Sequence, residues 1–391
     1  MHKEGPTSFP FPAVELDHSL RRSRWLSKKR TFALLITVLI LVICYRSSRR
    51  PQSQPGSGFI QYDLINWSRF AYSQYATSSA YLCSAVMVFE TLQRLGSRAD
   101  RILFYPEDWD TEVDSSTDRD SQLLVLARDE YGVQLIPVKP SVLKTDRADP
   151  TSWDGSITKL AVFSQTQYDR ILQIDSDVTI LQNMDDLFFL PSVPATMPRA
   201  YWDYPETRML SSLVILLEPS FREFKALTDA AQPAIYGQAA ANISTSDRRF
   251  DNDILNRRYA DSALVLPHRQ YGLVTREFRA KYHGGFLGND YEDWDPDRII
   301  GEAKLIHFSD PPLPKPWVMW PQALLAEMLP RCRHKPGTAE ESGCRDRDIW
   351  KGLYEDFRKR RKDICKLLSY PAPDWPPRNR KQGVKAQAPS R

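Results

Sequence analysis

The stretch Arg170-Ile-Leu-Gln-Ile-Asp-Ser-Asp-Val-Thr-Ile-Leu181 sets two carboxylates, Asp175 and Asp177, directly after an apolar run. The run from Arg170 to Ile174 is short, carries β-branched residues and follows a helical pattern, which predicts a buried strand. In a parallel α/β sheet, ligands bind beyond the carboxyl ends of the strands, where these aspartates fall. Two carboxylates there suit a hard divalent cation held against phosphates. Asp-x-Asp also occurs at 108/110, 118/120, 251/253, 293/295, 295/297 and 346/348, but only the 175/177 pair ends a hydrophobic strand. The signal therefore lies in the context of the pair and not in the tripeptide.

Upstream of this strand the pattern alternates. A strand is predicted over Phe70 to Thr77, then a helix with Tyr81, Ala85, Phe89, Leu92 and Leu95 at helical spacing and Gly96 as its stop. Strands over Arg101 to Tyr105 and Val133 to Val138 flank a helix from Gln122 to Tyr131, and a helix over Ile157 to Thr166 feeds the strand that ends at Asp175. Such alternation implies βαβ units and a mostly parallel sheet, an α/β fold. Downstream the pattern is mixed, with strands over Leu210 to Leu217, Ala263 to Leu266 and Lys304 to His307. Helices are expected over Phe221 to Ala231, Asp251 to Tyr259 and Arg345 to Leu368. The last would bury Ile349, Trp350, Leu353, Phe357, Ile364 and Leu367 and leave its basic run Arg358–Lys362 as a solvated face. Residues from Pro371 onward are basic, Pro-rich and expected to be disordered.

The chain has 391 residues, enough for one large domain or two small ones at about 100–200 residues each. Its net charge of +4 is small against 53 basic and 49 acidic residues, and much of the excess sits at the two ends, which gives no support for nucleic-acid binding. Thr31 to Tyr45 is the strongly apolar segment, preceded by six basic residues from Arg21 to Arg30. That asymmetry predicts an N-terminus in the cytosol and the remainder in a lumen. At about 1.5 Å per residue the segment spans about 22 Å, short for a membrane core of about 27 Å and suited to the thinner membranes of the early secretory pathway. A cleaved signal peptide is the rival, but the preceding tail is long and arginines stand where small cleavage-site residues belong. The expected organisation is a cytosolic tail (1–30), a transmembrane signal anchor (31–45), a luminal stem (46–69), a catalytic domain (70–330) and a C-terminal extension (331–391).

Two sequons, at Asn66 and Asn242, agree with luminal placement, as does the disulfide expected between Cys332 and Cys344 across a polar loop. A zinc site using Cys332 and His334 lacks a second close ligand pair.

A second constellation is His307-Phe-Ser-Asp-Pro-Pro-Leu-Pro-Lys-Pro-Trp317. Histidine joins carboxylates as a metal ligand, and a lysine on a proline-stiffened loop neutralises phosphate charge. Singly, each residue reads as structural or as a surface charge; their arrangement is the signal.

With IDSDVTILQNMDDLF (174–188), FDNDILN (250–256) and HFSDPPLPKPW (307–317), the chain resembles retaining glycosyltransferase family 8, the glycogenin-like group. AYLCSAVMVFETLQRLG, ITKLAVFSQTQYDRIL, MPRAYW and DSALVLPHRQYG are similar to its fungal N-acetylglucosaminyltransferase branch. The resemblance covers roughly residues 70–320. It implies a GT-A nucleotide-diphospho-sugar transferase fold, with a Rossmann-like mixed sheet flanked by helices. It implies that Asp175, Asp177 and His307 hold Mn²⁺ or another divalent cation. Tyr75, Thr77, Ser78, Tyr81, Ser176, Ser211, Asn252 and Lys315 would contact the UDP-sugar, and Asp251 and Lys159 would serve catalysis. It further implies a glycan or glycolipid acceptor and a single-pass protein of the Golgi or endoplasmic reticulum. The chain departs from the family at Ser211-Ser-Leu213, where Asn-Ser-Gly is usual, and in a longer loop after His307 that contains Asp310.

Two rivals remain. Asp175-Ser-Asp-Val-Thr179 fits the first motif of haloacid-dehalogenase-type phosphatases, yet there the motif opens the domain, and here about four β/α elements precede it. A membrane-anchored glycan-binding protein that has lost turnover would not need to keep the metal and diphosphate residues.

Overall fold

The computed structural model describes residues 62–112, 118–139, 153–203, 208–236, 251–319, 322–330, 344–366 and 370–371. The apolar segment from Thr31 to Tyr45, the sequon at Asn242, Cys332 and the tail beyond Pro371 lie outside these residues. Among the described residues, no helix is long and apolar enough to cross a membrane. Residues Met1–Ile65 and Asn66–Arg391 form separate units, the first contributing a 3₁₀ turn at Tyr62–Leu64.

In the second unit, strands β1 (Phe70–Tyr75), β2 (Asp100–Pro106), β3 (Val133–Val138) and β4 (Arg170–Ile174) lie parallel in the order β3-β2-β1-β4. β5 (Val178–Ile180) leaves this sheet, β6 (Ala195–Pro198) and β7 (Val214–Leu217) return to it, and β8 (Leu264–Leu266) closes its edge. β7 runs antiparallel to β4 and to β6, so the parallel half built by β1–β4 continues into a mixed seven-stranded sheet, as the resemblance implied. The reason is local. The turn at Ser212 and Leu213 lets the apolar run from Leu210 split into an isolated bridge, Leu210 to Arg199, and then β7.

The strands are apolar on both faces, as expected where helices cover a sheet on either side. Alternate residues feed two cores. Leu172 and Ile174 of β4 join Tyr72, Leu103, Val214 and Leu216 in one, while Ile171 joins Ala71, Ile102, Phe104, Ile215 and Leu217 in the other. The first core is capped by helix α1 (Ser79–Arg94), whose residues from Leu82 to Phe89 are all buried. Helix α2 (Arg119–Tyr131) starts where the Asp118 carboxylate accepts Ser121 N–H at 3.1 Å, and it stops at Gly132 with φ 61°. The second core is covered by a 3₁₀ helix at Trp153–Ser164 and by helices α3 (Phe221–Tyr236) and α4 (Asp251–Tyr259). The pattern had predicted the first of these as a helix beginning at Ile157.

A small second sheet positions the site. β9 (Leu273–Val274) and β5 flank β10 (Leu305–His307), with β10 antiparallel to β5 and parallel to β9. His307 pairs with Val178, so the imidazole arrives beside Asp177. At three and two residues, β5 and β9 are too short for periodicity to register.

Helix α5 (Arg345–Cys365) packs into the first core through Trp350, Tyr354, Phe357, Arg361 and Cys365, a helical stripe. Burying each of its three aromatics contributes about 2 kcal/mol. The basic run is therefore a solvated face only at Lys359 and Lys362, and its three arginines turn inward. Arg361 is 3% exposed, donates to Ala80 O and lies over the Trp317 ring, while Arg360 donates to Met87 O and Glu90. Cys365 forms a disulfide with Cys83 of α1, a pairing that spacing alone did not suggest. Cys344 is also disulfide-bonded, but the expected partner Cys332 lies outside the described residues.

Candidate active site

The last strand residue, Ile174, offers a carbonyl that accepts two side-chain amides, from Gln74 at 2.7 Å and Gln173 at 3.0 Å. Both glutamines are buried among apolar neighbours, so this pinning of the strand end is the main hydrogen-bonding work their amides do. Asp175 N–H then donates to Leu213 O and Phe308 N–H to Asp177 O, which fastens the Asp-Ser-Asp turn to the two segments that flank it.

Asp175, Asp177 and His307 each present a ligating atom within 4.8 Å of the others. His307 Nε2 is 3.2 Å from Asp177 Oδ1, and Lys315 Nζ pairs with Asp177 Oδ2 and with Phe308 O. On the other side, Lys159, only 2% exposed, reaches Asp175 at 2.6 Å and Asp251 at 2.8 Å. The contact to Asp175 is close but poorly aligned for a hydrogen bond, so it acts as an ion pair. Ser212, which the sequence reading passed over, completes the group. Its hydroxyl donates to Asp251 at 2.8 Å, its carbonyl accepts from Lys159 at 3.1 Å, and its N–H donates to the Asn252 side chain at 2.9 Å. The signal available was its place at the centre of Ser211-Ser-Leu213, the one serine kept where the resembled motif reads Asn-Ser-Gly.

These neighbours move the carboxyl pKa values apart. Burial pushes Asp175 up, against the pull of Lys159, and the charges of Asp177 and Asp251 add to the rise. Burial also pushes at Asp177, but Lys315 and His307 outweigh it and hold that carboxyl far below the usual range. Lys159 is favoured as the ammonium: burial lowers it, and the two aspartates more than reverse that. Burial, followed by Asp175, Asp251 and Asp177, raises Tyr75, whose ring lies 5.7 Å from Lys159 Nζ.

Three carboxylates here face two ammonium groups, one negative charge in excess. The donor set of two carboxylates and an imidazole fits a divalent cation. His307 Nδ1 is buried without a hydrogen-bond partner among the described residues, and Asp177 already holds positive charge. With a divalent cation bound, the cluster carries a positive excess suited to a diphosphate.

The structure thus brings Lys159, Asp175, Asp177, Ser212, Asp251, Asn252, His307 and Lys315 together. Ser176 is buried between the aspartates, and Ser211 is buried with its N–H on Pro198 O. Tyr81 packs its ring edge-on against Trp317 at 5.0 Å, two residues from Lys315. Thr77 is exposed and Ser78 half-buried on the turn that opens α1; Ser78 occupies the N-cap position without its side chain capping the helix.

No protein-family model matches the chain. It is 60% identical over 342 residues to glucose N-acetyltransferase 1 of Aspergillus fumigatus, covering 88% of each chain. It is 45% identical to the protein of that name from Gibberella zeae, over 80% of this chain and 66% of the other, and 25% identical to the Saccharomyces cerevisiae protein, over 78% and 82%. Among solved structures, the galactosyltransferase LgtC is 15% identical with a TM-score of 0.42, covering 74% of this chain and 99% of that one. The glycosyltransferase GlyE of Streptococcus pneumoniae is 16% identical with a TM-score of 0.43, covering 78% and 65%.

Proposed function

Given that the chain belongs to the glucose N-acetyltransferase 1 family of glycosyltransferases, we propose that it moves a sugar from a UDP-sugar to a glycan or glycolipid acceptor with retention of the α configuration. The sugar is N-acetylglucosamine in preference to glucose. The observation that carries this reading is the Asp175–Asp177–His307 donor set with Lys315 on the same carboxylate.

Breaking a sugar–phosphate bond leaves added negative charge on UDP, and catalysis requires stabilising that charge as it develops. Asp175, Asp177 and His307 would hold a divalent cation such as Mn²⁺, which would supply Lewis-acid stabilisation of a departing diphosphate. Lys315 sits on a loop beside the same carboxylate and adds its charge to the diphosphate. Tyr75, Thr77, Ser78, Tyr81 and Ser176 line the nucleotide side, and Ser211 and Asn252 the sugar side. Lys159 holds the Asp175 and Asp251 carboxylates apart in charge and fixed in place.

A covalent glycosyl–enzyme route needs a free carboxylate as nucleophile. Asp251 Oδ2 instead accepts from both Lys159 and Ser212, which favours front-face attack by the acceptor hydroxyl with Asp251 orienting the sugar or acceptor. A phosphatase motif opens its domain, whereas the Asp-Ser-Asp turn here follows the fourth strand.

We place the protein in the Golgi or endoplasmic-reticulum membrane as a single-pass, type II protein with a luminal catalytic domain. The Cys83–Cys365 cross-link and the exposed Asn66 sequon support an oxidising compartment. Incubating the purified full-length chain with a panel of UDP-sugars, with Mn²⁺ or with a chelator, tests the reading. Release of UDP from UDP-N-acetylglucosamine that requires the metal is expected. Turnover unaffected by chelation, or confined to phosphomonoesters, overturns it.

A further inference from the structure

We propose that Asp310 is a positioning residue for Lys315, acting through the C-terminal helix α5, so that this helix is a working part of the donor site. The inference rests on the reading of Lys315 as a diphosphate contact.

Lys315 lies on a ten-residue connection from Phe308 to Trp317, which leaves β10 and carries four prolines. Prolines stiffen such a segment but supply no N–H groups to fasten it. The fastening comes from α5. Asp310, 3% exposed, accepts the Trp350 indole N–H at 2.8 Å and the Tyr354 hydroxyl at 3.4 Å, and it pairs with Arg279. Its own carbonyl accepts Leu313 N–H at 2.8 Å, which shapes the bend that leads to the lysine. Beyond Lys315, Arg358 donates to Pro316 O at 3.2 Å, and the Trp317 ring sits 6.2 Å from Phe357 with Arg361 over its face. Before it, Phe308 packs on Tyr354 and Phe357 at 5.1 and 4.9 Å. One helix therefore grips the loop on both sides of the ammonium.

The same helix is fixed to α1, which carries Tyr81, through Arg360, Arg361 and the Cys83–Cys365 cross-link. A surface loop of such composition has no need of a buried carboxylate. Burying one is costly unless it is paired and hydrogen-bonded, and here three residues from two separate segments supply the partners. The arrangement is what holding a single lysine in register requires.

The test is a double-mutant cycle on the full-length chain, reading UDP affinity in the presence of Mn²⁺ by titration calorimetry. Asp310→Asn and Lys315→Ala are each expected to weaken UDP about tenfold, on the scale of a lost charged hydrogen bond. The double variant is expected to be no weaker than Lys315→Ala alone. Additive losses, or wild-type affinity in Asp310→Asn, overturn the positioning role while leaving the donor reading intact. Wild-type affinity in Lys315→Ala overturns both. Should Asp310→Asn fail to fold, Tyr354→Phe keeps the ring and removes only the hydroxyl that donates to Asp310, and the same non-additivity with Lys315→Ala is required of it.

Discussion

Replacing Lys159 by methionine removes one ammonium and leaves the buried Asp251 and part-buried Asp175 carboxylates without it. The side chains are of similar length, so the change is chiefly one of charge. The lysine is 2% exposed and its ion pairs measure 2.6 and 2.8 Å, which puts them among the pairs that water does not screen. Removing one partner of such a pair costs about 3–5 kcal/mol, because the other is left uncompensated. Lys225→Met provides the control, since its pair with Asp229 is 2.7 Å long but 70% and 53% exposed. That variant is expected to lose at most about 1 kcal/mol. Urea unfolding followed by fluorescence, with a chelator present, reads both. The Lys159→Met deficit should also shrink as pH falls. Asp175 already titrates above the usual carboxyl range, so its charged form is the costly one and protonation relieves it. Pairing Lys159→Met with Asp251→Asn should restore part of the loss. Equal effects of Lys159→Met and Lys225→Met, or a deficit independent of pH, would refute the charge bridge.

Two further outcomes follow from the same contacts. Asp177 titrates lower in the folded chain than in the unfolded one, so its stabilisation is present above the unfolded value of about 3.9 and is lost as pH falls through the folded value. Asp177→Asn should therefore flatten the decline of urea midpoint below about pH 4, and an unchanged slope would contradict the pairing with Lys315 and His307. Reducing the Cys83–Cys365 disulfide, or substituting Cys83→Ser, should lower stability by about 2–5 kcal/mol. A calorimetric transition insensitive to reductant would rule out the cross-link.

The central strand and its aspartates were legible in the sequence because five apolar-patterned residues and an abrupt charge leave few alternatives. His307 was legible for the same reason, as the polar end of a short strand. What escaped was set by distant neighbours. Ser212 matters only because a turn delivers it to Lys159 and Asp251. The antiparallel entry of β7 depends on that same turn. Arg358, Arg360 and Arg361 read as a charged surface run, yet backbone carbonyls of α1 and of the lysine loop draw them inward. Spacing cannot assign cysteine partners, and Cys83 meets Cys365 only once the whole first core has formed.

The join between Cys83 and Cys365 also fixes an order of events in biosynthesis. The two residues are 282 positions apart. The first sulfur has no such mate until the ribosome has added 282 more residues. An oxidoreductase closing this bond must therefore act after the helix that carries Cys365 has been made. A premature stop before Arg345 leaves that thiol single and the proline-rich lysine segment without the helix that braces it.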